Sequence, residues 1–377
     1  MLDYSRRIAF NADHHQFRET VRRFIQRDVE PFLDKWEQDG IVGREIWATA
    51  GALGLLCPQV PEAYGGVGLD FGFNAVMAEE LSYAGATLGF GIQNDIVSGY
   101  LLHYGSEEQK QKWLPKMAAG ETITAIAMAE PGAGSDLRTT ARKEGDAYVI
   151  SGSKTYITNG QHCDLVLVVA KTDSSAGARG TSLILVEADR PGFKRGRNLD
   201  KIGQSCADTS ELFFDAVTVP VSNLLGEENA GFRYLMSQLS QERLIIAVGA
   251  QAGAQRAFDE AVRFTKDRKA FGKTVFDFQN PRFQLAEAAA NLQAGWAHLD
   301  WALLRQMSGQ LTGTEGAAAK LFHAELQWKI VDMALQLHGG AGYMNEYPIA
   351  RLWKDARVQR IYGGTSEIMK EVIGRSL

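Results

Sequence analysis

Cysteine is scarce: Cys57, Cys163 and Cys206 are the three in 377 residues, an odd number set at no zinc-ligand spacing. That points to a reducing compartment and to a fold that needs no covalent staple. The seven histidines form no HExxH and no close cluster, so no metal site is expected. Charge excess is small, with 40 basic against 45 acidic side chains. No basic run is long enough to track a phosphate backbone, so neither nucleic acid nor an anionic membrane is an expected partner. Long apolar runs are missing: Leu165 to Ala170 stops at six residues, against about 18 for a bilayer span. Arg6, Arg7, His14, Glu19 and Asp28 interrupt the N-terminal apolar residues, so no targeting segment is read and a cytoplasmic location is expected. Nucleotide fingerprints fail as well. Leu137 follows Gly132 and Gly134 where a third glycine belongs, and Asp267 replaces the leading glycine ahead of Phe271-Gly-Lys-Thr274. A G-x-S-x-G elbow is absent, which weakens a hydrolase reading.

What is present divides into three. Residues 1–120 have a helical texture: Phe17, Val21 and Phe24 form a stripe, with Arg18, Arg22 and Arg23 facing elsewhere. Pro31 fits a kink or a new first turn, Pro61 to Gly68 reads as a loop, and Asn74 to Tyr83 as helix. Ser106 followed by Glu107, Glu108 and Gln109 is a capped helix start. Across 121–229 the period drops to two. Ala147–Ile150, Leu165–Val169, Thr181–Val186 and Glu211–Phe214 are short β-rich runs with no helix-length gap between them, so an antiparallel sheet or small barrel is expected. From 230 to 377 the helical period returns, with Leu321, Ala324, Trp328, Val331 and Leu335 as one stripe. Trp296, Trp301 and Trp328 read as core filling.

Several stretches invite a ligand. Pro131-Gly-Ala-Gly-Ser-Asp136 can turn backbone N–H groups and a hydroxyl toward an anion or a ring edge, although, taken alone, Gly132 and Gly134 read as turn residues ahead of ligands. His338-Gly-Gly-Ala-Gly-Tyr343 and Ile361-Tyr-Gly-Gly-Thr-Ser-Glu367 break helical texture where backbone must approach a ligand or another helix. Lys266, Arg268, Lys269 and Lys273 beside Phe264 and Phe271 suit phosphates or a solvated helix face.

In order along the chain come Tyr64-Gly-Gly, Ala129-Glu-Pro-Gly-Ala-Gly-Ser-Asp136, Gly152-Ser-Lys-Thr-Tyr-Ile-Thr-Asn-Gly160, Lys201-Ile-Gly203, Arg268-Lys-Ala-Phe-Gly-Lys273, Phe278-Gln279, Gln336-Leu-His-Gly-Gly-Ala-Gly-Tyr343, Asp355-Ala-Arg357 and Ile361-Tyr-Gly-Gly-Thr365. With these the chain resembles the acyl-CoA dehydrogenases over residues 1–377. The resemblance implies an α+β fold: an N-terminal helical domain, a middle antiparallel β-domain and a C-terminal four-helix bundle, assembled as a homotetramer of two dimers around FAD. It places Ile126, Ala127, Met128, Ala129, Glu130, Pro131, Gly132, Ala133, Gly134 and Ser135, with Tyr156, Ile157 and Thr158, against the flavin ring. Arg268, Gln279 and Gln336, Leu337, His338, Gly339 and Gly340 would reach a neighbouring subunit's flavin, and Thr365, Ser366 and Glu367 the diphosphate side. Ser135, Arg243 and Gly364 would meet acyl-CoA.

One position departs from the family's commonest pattern. Gly363 stands where most members carry a catalytic glutamate. The long-chain and isovaleryl types carry that acid on a helix instead, and Glu242 in Gln241-Glu-Arg243 is the matching residue; its plain alternative is an ion pair with Arg243 or a solvent-facing helix residue. The resemblance then implies that Glu242 takes the α-proton while the β-hydrogen leaves as hydride to FAD. The Gly363 N–H would bond the thioester carbonyl, and electrons would pass on to electron-transferring flavoprotein. A glycine there also vacates volume for longer or branched acyl groups. Competing readings are a biosynthetic dehydrogenase of a branched, terpenoid or carrier-bound acyl thioester, and a non-catalytic flavoprotein of the same fold.

Overall fold

The computed structural model describes residues 7–132 and 137–377; Ala133, Gly134 and Ser135 of the glycine-rich stretch lie outside the described residues. Six helices come first: α1 (Ala12–Phe24), α2 (Leu33–Asp39), α3 (Glu45–Ala52), α4 (Phe71–Ala84), α5 (Ser98–Tyr104) and α6 (Glu107–Ala118). The Ser106–Gln109 capping box starts α6 as its residues suggest. Pro31 sits in a single 3-10 turn between α1 and α2, after a π-turn over Ile25–Val29. Val21 and Phe24 are buried on α1, but so is Arg18, which does not face solvent. Its guanidinium meets Glu79 at 2.7 Å and Glu80 at 2.5 Å on α4. Arg7 binds Glu79 and Asp300 beside it. The alternation around Arg18 was misleading because a buried cation needs only a partner, and α4 supplies two carboxylates.

Among the described residues, the middle of the chain holds seven strands: β1 (Thr124–Ala127), β2 (Thr140–Glu144), β3 (Ala147–Thr158), β4 (Leu165–Lys171), β5 (Thr181–Glu187), β6 (Phe193–Asn198) and β7 (Thr209–Pro220). They form one sheet in the order β1-β4-β2-β3-β7-β6, with β5 also on β4. The β2–β3, β3–β7, β6–β7 and β4–β5 pairs are antiparallel, as the short gaps require. The sheet is nevertheless mixed, because β1 runs parallel to β4 and β2 meets β4 in parallel at one pair. No crossover helix is needed, since the β2–β3 hairpin itself occupies the connection. Leu165, Leu167 and Val169 face one apolar cluster with Tyr100, Leu114 and Leu235, whereas Val166, Val168 and Ala170 face another. Burial on both faces explains the continuous apolar run in β4.

The C-terminal part holds α7 (Gly231–Asp267), the two-residue strands β8 (Lys269–Ala270) and β9 (Lys273–Thr274), α8 (Gln279–Met307), α9 (Gly313–His338), α10 (Pro348–Ala356) and α11 (Ser366–Gly374). Three helices are long; α10 packs on α9 and α7, and α11 on α9, so the bundle is completed by short helices. Phe271 and Gly272 make the β8–β9 hairpin turn with φ +51° and +80°, a left-handed pair that fits a type I′ turn. Along the expected stripe of α9, Ala324 and Val331 are buried, and Gln327, Ile330 and Ala334 are buried beside them, with Leu321, Trp328 and Leu335 half-buried at the flanks. Trp296 is core, but Trp301 is 43% exposed and corrects the core reading for that position. All three cysteines are free and buried. Among the described residues no helix is long and apolar enough to cross a membrane, and no cluster of metal-binding side chains occurs.

Candidate active site

The long helix α7 carries Gln241, Glu242 and Arg243, all buried, at its N-terminal third. Glu242 is 8% exposed, and the hydroxyl of Tyr100 on α5 donates to its Oε1 at 3.0 Å. Burial pushes this carboxyl up to about 7, against the opposing pull of the Tyr100 hydrogen bond and the Arg243 charge. Glu242 and Arg243 form no ion pair among the described residues, so the plain reading of Glu242 as half of a salt bridge does not describe this site. Arg243 is equally buried, its Nε has no partner among the described residues, and burial lowers its pKa. A guanidinium held dry and incompletely bonded is suited to an acceptor brought by a ligand.

The loop ahead of α11 closes over the same face. Gly363 and Gly364 have φ +63° and +99°, conformations that favour glycine. A Cβ on Gly363 would stand 2.3 Å from Cδ1 of Ile246. Ile246 lies four residues beyond Glu242, hence on the same stripe of α7. A Cβ on Gly364 would lie 4.0 Å from Nη2 of Arg243. Lys320, fully buried on α9, donates to the Gly364 carbonyl at 2.7 Å, and burial pushes its ammonium down to about 8. Next along the chain, Thr365 caps α11 by accepting from the Ile368 N–H. Ser366 turns inward to Glu325 at 2.7 Å, and Glu367 is exposed in the first turn. Glu242, Arg243, Gly363 and Gly364 are thus brought together.

A third component is the open end of the sheet. Ile126 packs at the edge of the apolar cluster that contains Tyr100. The chain then runs through Ala127, Met128, Ala129, Glu130, Pro131 and Gly132 beside the end of β3, where the Thr155 N–H donates to the Ala129 carbonyl. A bulge between Lys154 and Ile157 leaves Tyr156 outside the paired register, at φ +60° and 71% exposed. A left-handed tyrosine costs about 1–2 kcal/mol, and such conformations gather at functional sites. Ile157 is buried behind it and Thr158 half-buried. Lys154 secures the arrangement: its fully buried ammonium donates to the Met128 and Val169 carbonyls and to Glu130 at 2.8 Å. Burial lowers its pKa to about 8 in spite of Glu130.

Arg268, Gln279 and Gln336 to Gly340 lie elsewhere. Arg268 follows the C-terminus of α7, 25 residues beyond Arg243, which at 1.5 Å per residue is roughly 38 Å away. It lines a cleft of about 350 Å³ with Phe264, His338 and Tyr347. Gln279, Gln336, Gly339 and Gly340 are exposed, Leu337 is half-buried, and His338 stacks on Phe264. One chain therefore does not bring these residues to Glu242, which is the arrangement required if they serve a second subunit. Two contributors escaped sequence reasoning. Tyr100 is 142 positions from Glu242, and no local pattern marks it. Lys320 sits in an alanine-rich helix whose texture signals only packing.

A flat, partly apolar cofactor fits the sheet end, with an exposed ring at a bulge and the exposed Met128 beside it; on the C-terminal side, the capped helix start at Thr365 suits an anionic group. The family descriptions "Acyl-CoA dehydrogenase, N-terminal domain", "middle domain" and "C-terminal domain" match residues 11–121, 125–217 and 229–377. The long-chain specific acyl-CoA dehydrogenase of Sus scrofa mitochondria is 47% identical over 383 residues, covering 100% of this chain and 89% of that protein. A 3-(aryl)acrylate reductase of Clostridium sporogenes is 37% identical, over 98% of this chain and 99% of that one. The crystal structure of an acyl-CoA dehydrogenase from Geobacillus kaustophilus superposes with a TM-score of 0.96 at 48% identity, covering 97% of this chain and 98% of that one.

Proposed function

The chain belongs to the acyl-CoA dehydrogenase family of FAD-dependent oxidoreductases, and from that premise we propose that it takes one hydrogen from each of Cα and Cβ of a saturated acyl-CoA thioester, medium- or long-chain or branched, to give the trans-2-enoyl-CoA. The observation that carries this reading is Glu242: a buried carboxylate, raised to about 7, on the α7 face that the Gly363 loop covers. FAD, when bound, supplies the acceptor for the β-hydrogen as hydride.

Glu242 accepts the α-proton. An α-hydrogen of a thioester is far too weakly acidic for an ordinary carboxylate, so the base and the carbon acid must be brought together in pKa. Raising the carboxyl from 4.5 to about 7 supplies about 3 kcal/mol of that gap. The Gly363 N–H supplies a further part by bonding the thioester oxygen as negative charge develops there. Its glycine conformation, closed against Ile246, holds the backbone where a side-chain acid would otherwise intrude. Arg243 and Gly364 bind the acyl-CoA, and Arg243 meets it with a donor, Nε, that has no partner among the described residues.

Ile126 to Gly132 and Tyr156 to Thr158 hold the flavin ring, with Tyr156 covering a face. Thr365, Ser366 and Glu367 form the diphosphate side. The distant set at Arg268, Gln279 and Gln336 to Gly340 serves the flavin of a neighbouring subunit in a homotetramer built as two dimers. Electron-transferring flavoprotein takes the electrons onward. Support for a long-chain substrate comes from the Sus scrofa relative named above.

The test is anaerobic mixing of FAD-loaded wild type and Glu242→Gln with a panel of straight-chain acyl-CoAs from short to long, plus isovaleryl-CoA, following the flavin's visible band. Rapid bleaching by wild type and a loss of about 10²–10⁴-fold in the variant are expected. Equal bleaching by the variant would remove Glu242 as the base. Full FAD occupancy with no bleaching of wild type by any acyl-CoA would overturn the substrate class.

A further inference from the structure

Tyr100 is fully buried, and its hydroxyl reaches Glu242 Oε1 across the contact between α5 and α7. Burial and the neighbouring Glu242 charge hold the phenol far above its ordinary pKa, so it stays protonated and can only donate to the carboxylate. The other carboxylate oxygen, Oε2, has no hydrogen-bond partner among the described residues and is not sealed among the buried unpartnered atoms. The two oxygens of the base are therefore unequal: one is clamped and one is open.

We propose that Tyr100 is a positioning residue for the base, holding Oε1 of Glu242 so that Oε2 is the oxygen presented to the substrate's α-carbon. The inference rests on Glu242 being the base. Phenylalanine would fill the same apolar space, so packing alone does not call for a hydroxyl at this place. The other charged and titratable groups around the carboxylate act differently. Arg243 neighbours it on α7 without bonding it, and Lys320 on α9 faces Arg243 and the Gly364 carbonyl. Tyr104 on α5 acts on Tyr100. The Asp95 carboxyl, in the turn before α5, is tied to Asn74 at 2.7 Å, and only its backbone carbonyl meets the Glu242 helix, through Gln241.

A hydrogen bond to the charged form favours ionisation. Removing it must raise the pH at which the base becomes active. In Tyr100→Phe, loaded with FAD and reduced anaerobically by an acyl-CoA that bleaches wild type, the acid-side midpoint of the reduction rate should rise by about one pH unit, with a loss of about tenfold below it that shrinks as the pH rises. Site-specific 3-fluorotyrosine at position 100, a stronger donor in nearly the same volume, should move the midpoint down instead. A loss that is uniform across pH, or a fluorotyrosine shift in the same direction as phenylalanine, would overturn the positioning role and leave Tyr100 as packing. The base itself is tested separately: a Glu242→Gln protein as fast as wild type removes both readings. A slow Glu242→Gln beside an unshifted Tyr100→Phe profile removes this one alone.

Discussion

Replacing Glu242 by glutamine should make the resting protein more stable, and only at high pH. The carboxyl is pushed from 4.5 up to about 7 by burial. A raised folded-state pKa means that the native protein binds this proton more tightly than the unfolded chain does. Its contribution to stability is therefore complete below about pH 4.5 and is lost as the pH rises through about 7. Above about pH 8 the buried carboxylate is ionised, and the lost stability amounts to about 3 kcal/mol. Glutamine has no charge to desolvate and still presents Oε1 to the Tyr100 hydroxyl. Its amide group, facing the open side, forfeits about 1 kcal/mol of hydrogen bonding. The net gain is about 2 kcal/mol near pH 8.5 and close to zero near pH 5. For a chain of 377 residues unfolding entropy is of order 0.8 kcal/mol/K, so the gain corresponds to a Tm difference of about 2–3 °C. The assay is thermal unfolding of FAD-loaded wild type and variant without acyl-CoA at the two pH values. A Tm difference that is the same at both would refute the claim that Glu242 is stored as a strained, desolvated base, whatever the variant does to activity. A variant that gains stability while losing turnover is the signature of an active site that gives up stability for chemistry.

Other consequences follow from neighbouring residues. Lys154→Met should lose about 3–5 kcal/mol and much of the bound FAD, because two backbone carbonyls and Glu130 are left without the ammonium that satisfies them; unchanged Tm and flavin retention on gel filtration would contradict this. Gly363→Ala should lose about 1–2 kcal/mol from its left-handed backbone and the displacement of Ile246, with the Gly363→Ala, Ile246→Ala double variant recovering only the steric part. Gly363→Glu should in addition narrow the substrate range, checked as relative kcat/KM on straight and methyl-branched acyl-CoAs; an unchanged ratio would count against the vacated-volume reading.

Much of this architecture could be read from period and punctuation, and the exceptions have identifiable causes. The Ser106 cap, the apolar run in β4 and the long C-terminal helices are local signals, and local physics produces them. Strands β2 and β6 went unread because their sequences, such as Thr140-Ala-Arg-Lys-Glu144, carry exposed charges along a sheet edge or hairpin, and β1 because four residues, Thr124 to Ala127, are too short to show a period; their strand state comes from partners, not propensity. The burial of Arg18 and the mixed direction of the sheet likewise depend on residues distant in sequence. In the candidate site, the proposal of Glu242 as the base came only from family resemblance, since one carboxylate in a helix of mixed polarity has no distinguishing local mark. Tyr100 and Lys320 were not legible even so, because each acts through a single long-range hydrogen bond.

The glycine pair and the helical acid explain one another. If the base stood at position 363, its side chain would occupy the space between the loop and α7 that Ile246 now fills to within 2.3 Å of an added Cβ. With glycine there, the loop settles against Ile246 in a left-handed conformation, and Lys320 ties it down through the Gly364 carbonyl. The acid must then come from the opposite wall, and one turn before Ile246 on the same stripe of α7 is Glu242. A carboxylate on that wall lies deeper than one on a surface loop would, against Tyr100 at the junction of α5 and α7. Depth raises its pKa, and the Tyr100 hydroxyl limits how far. With Glu242 as the proposed base, Gly363 at the loop and Tyr100 beside the acid occur together, and it is the Tyr100→Phe pH profile that measures whether the two belong to one device.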